Sequence, residues 1–104
     1  MLSADQLALR REALGGIAFE VGRAHADLVE AQQRLKVVQG GEKYGKRWIT
    51  TVAQSFSAGL AETKDFSDAL WAFFNFRVKV LQATFDTNVA AAVLARAVGS
   101  PVTR

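Results

Sequence analysis

The sequence has no cysteine, one proline, one histidine and no long apolar run. Without cysteine there are no disulfides and no thiolate metal sites. His25 has no second histidine with which to share a metal and no nucleophile beside it, so neither a metal nor any other cofactor is expected. The single proline stands at position 101, and residues 3–58 carry almost no turn chemistry, which leaves the chain free to run as long helices. No segment reaches the roughly 18 apolar residues of a membrane-spanning helix. Residues 1–11 lack the apolar core of a signal peptide, so the chain as it stands shows no export signal. Charge of one sign is also scarce. The formal charge is +3, and basic residues alternate with acidic ones at Arg10, Arg11 and Glu12, at Glu30 and Arg34, and at Lys64 and Asp65. That pattern reads as solvated helix faces, not as a nucleic-acid footprint.

What is present is apolar periodicity. Phe66, Ala69, Phe73, Phe76, Val80, Ala83, Ala90, Leu94 and Ala97 step by alternating threes and fours, with Thr87 the one polar member, and so form a single stripe along a helix. A second stripe, Trp71, Phe74, Val78, Leu81, Phe85, Ala92 and Ala95, keeps the same alternation and is interrupted only by Asn88. At about 100° per residue the two stripes lie on nearly opposite sides of the helix. A helix apolar on two opposite sides needs two neighbours, and a two-helix hairpin can supply only one. This is the pattern of a helix in a wall or barrel of helices.

The first half of the chain carries a matching seam: Leu7, Arg10, Leu14, Ile17, Val21, Ala24, Leu28, Ala31, Leu35, Val38, Glu42, Gly45, Ile49, Val52 and Phe56. Its phase survives Gln39-Gly40-Gly41, where a loop would reset it, so one helix is expected over about residues 4–58, bent or weakened at the glycines. The alternative is a true break at Gly40 with two shorter helices. Ser3 and Gln6 have capping-box spacing at the start. Gly15, Phe19, Gly22, Ala26 and Val29 make a second seam of mostly small residues, which lets a neighbouring helix approach closely.

Gly59 is placed to take the left-handed conformation that ends a helix, and Thr63 or Asp65 can cap the next one. Residues 59–64 are expected as the turn and about 65–98 as the second helix. Residues 99–104 are expected as a tail, with Gly99 ending the helix and Pro101 just beyond it. The expected fold is all-α, one long antiparallel helical hairpin over residues 1–104. At 1.5 Å per residue the helices would be roughly 80 Å and 50 Å long. The second would reach back to the neighbourhood of Gly22, leaving about the first twenty residues without a partner inside the chain. A chain of 104 residues buries a modest core, so further burial is expected from partners.

Several segments carry a resemblance. They are Lys46-Arg47-Trp48-Ile49, Phe56-Ser57-Ala58-Gly59-Leu60, Asp65-Phe66-Ser67-Asp68-Ala69-Leu70, and Phe85-Asp86-Thr87-Asn88-Val89-Ala90 leading to Leu94-Ala95-Arg96-Ala97-Val98-Gly99. In order and spacing they resemble the C-terminal repeat of TolC-like outer membrane efflux proteins, and Arg10-Arg11-Glu12-Ala13-Leu14 through Glu20-Val21-Gly22-Arg23-Ala24 is similar to that family's upstream helix. The resemblance covers nearly the whole chain. It implies a segment of a homotrimeric conduit, in which a β-barrel in the outer membrane continues as an α-helical barrel across the periplasm. A periplasmic adaptor protein and an inner-membrane pump are the implied partners. Carried over, Phe56, Gly59 and Leu60 would form the tip that docks the adaptor, and Asp65 and Asp68 would face the periplasmic entrance as a gate. The family's β-hairpins and other repeat are absent from these residues, and Ala61 stands where the family often has a basic residue. The chain is therefore expected to be a fragment or truncated member that reaches the outer membrane only through strands it does not itself contain.

From the residues alone, Asp65 and Asp68 are helix-start caps as readily as gate residues. They share a narrow polar stripe with Asn75, Lys79, Gln82 and Asp86, of the kind a barrel lumen would require. Lys43, Lys46 and Arg47 cluster around Tyr44, either as a solvated face or as a contact with a partner protein or anionic surface. Trp71, Phe73, Phe74 and Phe76 alternate between two seams and are packing residues, not a base-stacking platform. No base, nucleophile and oxyanion donor assemble, so no enzyme is expected. The second functional reading is a soluble helical interaction module that oligomerises or binds a partner helix.

Overall fold

The computed structural model describes residues 3–60 and 62–99, which form two helices: α1, Ala4–Ser57, and α2, Thr63–Gly99. They pack against each other as a hairpin, and the fold is all-α. The molecule is a flat rod of 85 × 24 × 14 Å, two helices wide and one thick. Pro101 and the expected tail beyond Gly99, like Ala61, lie outside the described residues.

Both ends of α1 are built as their sequence requires. Ser3 accepts the Gln6 amide N–H on its hydroxyl at 3.2 Å, and the Gln6 side chain accepts the Ser3 N–H at 2.9 Å, so two orphan donors of the first turn are satisfied reciprocally. At the other end Gly59 has φ +76°. Its N–H donates to the Phe56 carbonyl at 3.0 Å, and the Leu60 N–H reaches the Ser55 carbonyl at 2.8 Å. This pair of bonds is the Schellman arrangement, which a left-handed residue makes available and glycine adopts without steric cost.

α2 begins at Thr63, earlier than the expected start near residue 65, because the cap is the residue before it. The Glu62 N–H donates to the Asp65 carboxylate at 3.4 Å, and the Phe66 N–H bonds the Glu62 carbonyl at 3.3 Å. Asp65 thus caps from inside the first turn, and Thr63 lies within the helix.

α1 continues through Gly40 and Gly41 without interruption. Of the glycines in this stretch, Gly41 and Gly45 lie against α2, whereas Gly40 faces open space. A Cβ at Gly45 would lie 3.2 Å from the Phe73 Cα, and a Cβ at Gly41 would overlap the Phe76 ring. Residues that are weak helix formers in isolation therefore make a notch that takes the Phe76 ring at Gly41 and the Phe73 backbone at Gly45.

The buried residues are small. Ala24, Ala31, Gly45 and Val52 of α1 and Ala69 and Ala83 of α2 line the closed seam, with Leu28, Leu35, Val38, Phe73, Phe76 and Val80 half-buried beside them. Two polar members of the seam are used across it. The Thr87 hydroxyl lies 2.7 Å from the Ala83 carbonyl and 3.3 Å from that of Ala31, and Glu42 pairs with Arg77 at 3.8 Å. Arg34 holds both Glu30 on its own helix, at 3.1 Å, and Asp86 on α2, at 3.0 Å. Those two carboxylates, Glu30 first, raise the Arg34 guanidinium above its ordinary pKa.

Candidate functional site

Two regions of the rod offer surfaces for a partner: the turn between the helices and the outward face of α2. At the turn, Phe56 and Phe66 meet edge to face with ring centroids 5.7 Å apart, which ties the end of α1 to the start of α2. Phe56, which the sequence places both at the end of the seam and at the expected tip, is exposed. Leu60 is 83% exposed, held in place by its backbone bond to Ser55 while its side chain touches little. Phe56, Gly59 and Leu60 therefore lie together at the end of α1, with both apolar side chains exposed.

The two expected gate aspartates sit beside these residues, and each has a local partner. Asp65 accepts the Glu62 N–H, as described above, and Asp68 pairs with Lys64 at 3.0 Å. Hydrogen bonding and charge from Asp68 raise the Lys64 ammonium above its ordinary pKa. Both aspartates are exposed. Along the same polar stripe Asp86 is engaged by Arg34, and the Lys79 ammonium lies 5.6 Å from the centre of the Phe76 ring. The structure brings Asp65 and Asp68 to the tip but ties each to its own helix start. The alternation of signs along the sequence had marked Glu30–Arg34, whereas Arg34–Asp86 and the Gly41–Gly45 notch become visible only when the helices are paired.

The outward face of α2 is the larger feature. Trp71, Phe74, Val78, Leu81 and Phe85 are all exposed, Trp71 to 72%. They form a continuous apolar stripe on the side of α2 turned away from α1. On α1, Leu7, Leu14 and Ile17 continue the closed seam beyond the end of α2 and are exposed in turn. Where α2 ends, Arg96 and Ala97 share an open groove of about 740 Å³ with Gly16, Phe19, Glu20 and Arg23. The groove is a surface trough and assembles no catalytic set.

Among the described residues no cluster of three or more histidine, cysteine or acidic side chains could hold a metal ion, and no helix is long and apolar enough to cross a membrane. The chain matches no family model, no curated protein and no solved structure.

Proposed function

We propose that this hairpin is a wall segment of a helical barrel, belonging to an outer membrane efflux conduit and docking a periplasmic adaptor at its tip. The observation that carries the reading is the uncovered stripe of α2. A helix with one seam closed by α1 and a second seam of Trp71, Phe74, Val78, Leu81 and Phe85 in water is complete only with a second helical neighbour. Side-by-side copies of this hairpin supply that neighbour, and closing the row into a ring makes the wall a tube. The mechanism is passive. The wall encloses a path, the corner of Phe56, Gly59 and Leu60 meets the adaptor, and no bond is made or broken. Asp65 and Asp68 lie next to that corner, where paired carboxylates repeated by symmetry would favour cations at an entrance.

The reading is tested by sedimentation of the chain together with photo-crosslinking from position 60. Concentration-dependent association, and capture of a periplasmic adaptor by a photoreactive residue replacing Leu60, are the expected results. A compact monomer that unfolds cooperatively would reject the wall. Association without adaptor capture would leave a self-assembling interaction module.

A further inference from the structure

We propose that the back of α2 packs on the back of α1 of the next copy, level with it along the rod, so that Trp71 and Phe74 of one chain are covered by Arg47 and Lys43 of another. This rests on the wall reading and names the interface that would build it.

A closed ring leaves little freedom in how neighbours meet. Any axial step between copies would repeat and generate a helical filament, so in a ring all copies stand at one height. Heights measured inside one hairpin then carry over to its neighbour. Across the closed seam Gly45 is level with Phe73, Gly41 with Phe76, Glu42 with Arg77 and Ala31 with Thr87. Counting along both helices from those pairs puts Arg47 level with Trp71, Lys43 with Phe74, Gly40 with Val78 and Ala26 with Ala92.

At the tip end of the stripe these levels match in chemistry. Lys43 and Arg47 have no ion-pair partner among the described residues, and they fall beside the two exposed aromatic rings at the tip end of the stripe. A cation over an aromatic face is attractive, and the aliphatic stem of Lys or Arg covers apolar surface while its charge stays in water. The hairpin already makes one such contact, Lys79 over Phe76. Val78 falls on Gly40, where nothing lies within 4 Å of a built Cβ, so the branched side chain meets an open notch. Farther along, alanine meets alanine, and the helices can approach closely. A twofold pairing of the α2 stripe with itself would instead stack aromatics on aromatics, leave the α1 back uncovered and stop at a dimer.

Because the chain has no cysteine, introduced pairs report cleanly. In one hairpin Gly40 and Val78 lie on opposite outer sides with both helix axes between them, beyond the roughly 7 Å Cα separation that a disulfide can span. Oxidation of the Gly40→Cys/Val78→Cys chain should therefore produce a ladder of covalent multimers on a non-reducing gel, while each single variant stays uncrosslinked. Covalent dimers from Val78→Cys alone would show the stripe pairing with itself and overturn the proposal. So would a silent Gly40/Val78 pair alongside efficient crosslinking of Val78→Cys with Thr50→Cys, which would mean staggered copies. If the double variant loses its helical circular dichroism, Lys43→Cys/Phe74→Cys tests the same register one turn nearer the tip. A monomeric parent chain in sedimentation would reject the wall itself, whereas oligomers with the wrong crosslinks would reject only this interface.

Discussion

The Phe76 ring occupies the space that a methyl group on Gly41 would need. One turn along α1, the Phe73 backbone stands 3.2 Å from where a Cβ on Gly45 would lie. Gly40, between Gln39 and Gly41, has nothing within 4 Å. These neighbouring glycines thus meet three different situations on one helix, and they respond differently to substitution.

Gly40→Ala should stabilise the hairpin by up to about 1 kcal/mol, the ordinary helix-propensity gain. Gly45→Ala should destabilise it by about 1–3 kcal/mol, since the added methyl meets backbone and the helices must part. Gly41→Ala should fall between, because the Phe76 ring can turn aside at some cost in packing. Thermal unfolding of the three variants, followed by circular dichroism at one protein concentration, checks the order.

At the tip, Gly59→Val should cost about 1 kcal/mol or more, because a β-branched residue is strained at φ +76°. Gly59→Asn should cost less, since asparagine tolerates the left-handed region. If Gly59→Val leaves both the unfolding midpoint and crosslinking from position 60 unchanged, the turn is not the docking element.

Arg34 joins both helices through exposed carboxylates, so its effect should be modest and sensitive to salt. Arg34→Met should lower the unfolding temperature more than Arg10→Met, which removes a cation from the unpartnered end of α1. The gap between them should narrow in high salt, and a gap that persists there would point to packing of the guanidinium stem instead.

Lys64 supplies a pH signature. Asp68 raises its folded-state pKa above the ordinary 10.5, so the folded chain holds this proton more tightly than the unfolded chain does. The stabilisation is fully present below 10.5 and is lost as pH rises through the raised value. Asp68→Asn should remove that alkaline loss, visible as a flatter dependence of the unfolding midpoint on pH above 10.

The gate proposal is tested by Asp65→Asn/Asp68→Asn. Asparagine keeps much of the capping capacity and removes two negative charges per subunit, so helix content should be preserved. In an assembled conduit, single-channel recording should show reduced cation preference and weaker block by multivalent cations. Unchanged selectivity with normal assembly would leave both aspartates as helix caps.

Much of the hairpin is legible along the chain because its signals are local. The Ser3–Gln6 box, the left-handed Gly59 and the alternation of threes and fours each act within one or two helical turns, so residue order alone determines that there are two long helices, roughly where they end, and that α2 carries two apolar stripes. The tertiary structure decided which stripe closes. The stripe of Phe73, Phe76 and Ala83 meets a mostly apolar seam on α1, where Gly41 leaves room for the Phe76 ring and Gly45 lets the Phe73 backbone approach. The stripe of Trp71, Phe74 and Phe85 has no such counterpart within reach of a short turn and remains in water. It also decided which glycines α2 fills: Gly41 faces the Phe76 ring and Gly45 the Phe73 backbone, while Gly40 faces open space. A residue without a side chain costs helix propensity locally and repays it only when another helix fills the space, and sequence order cannot show that filling.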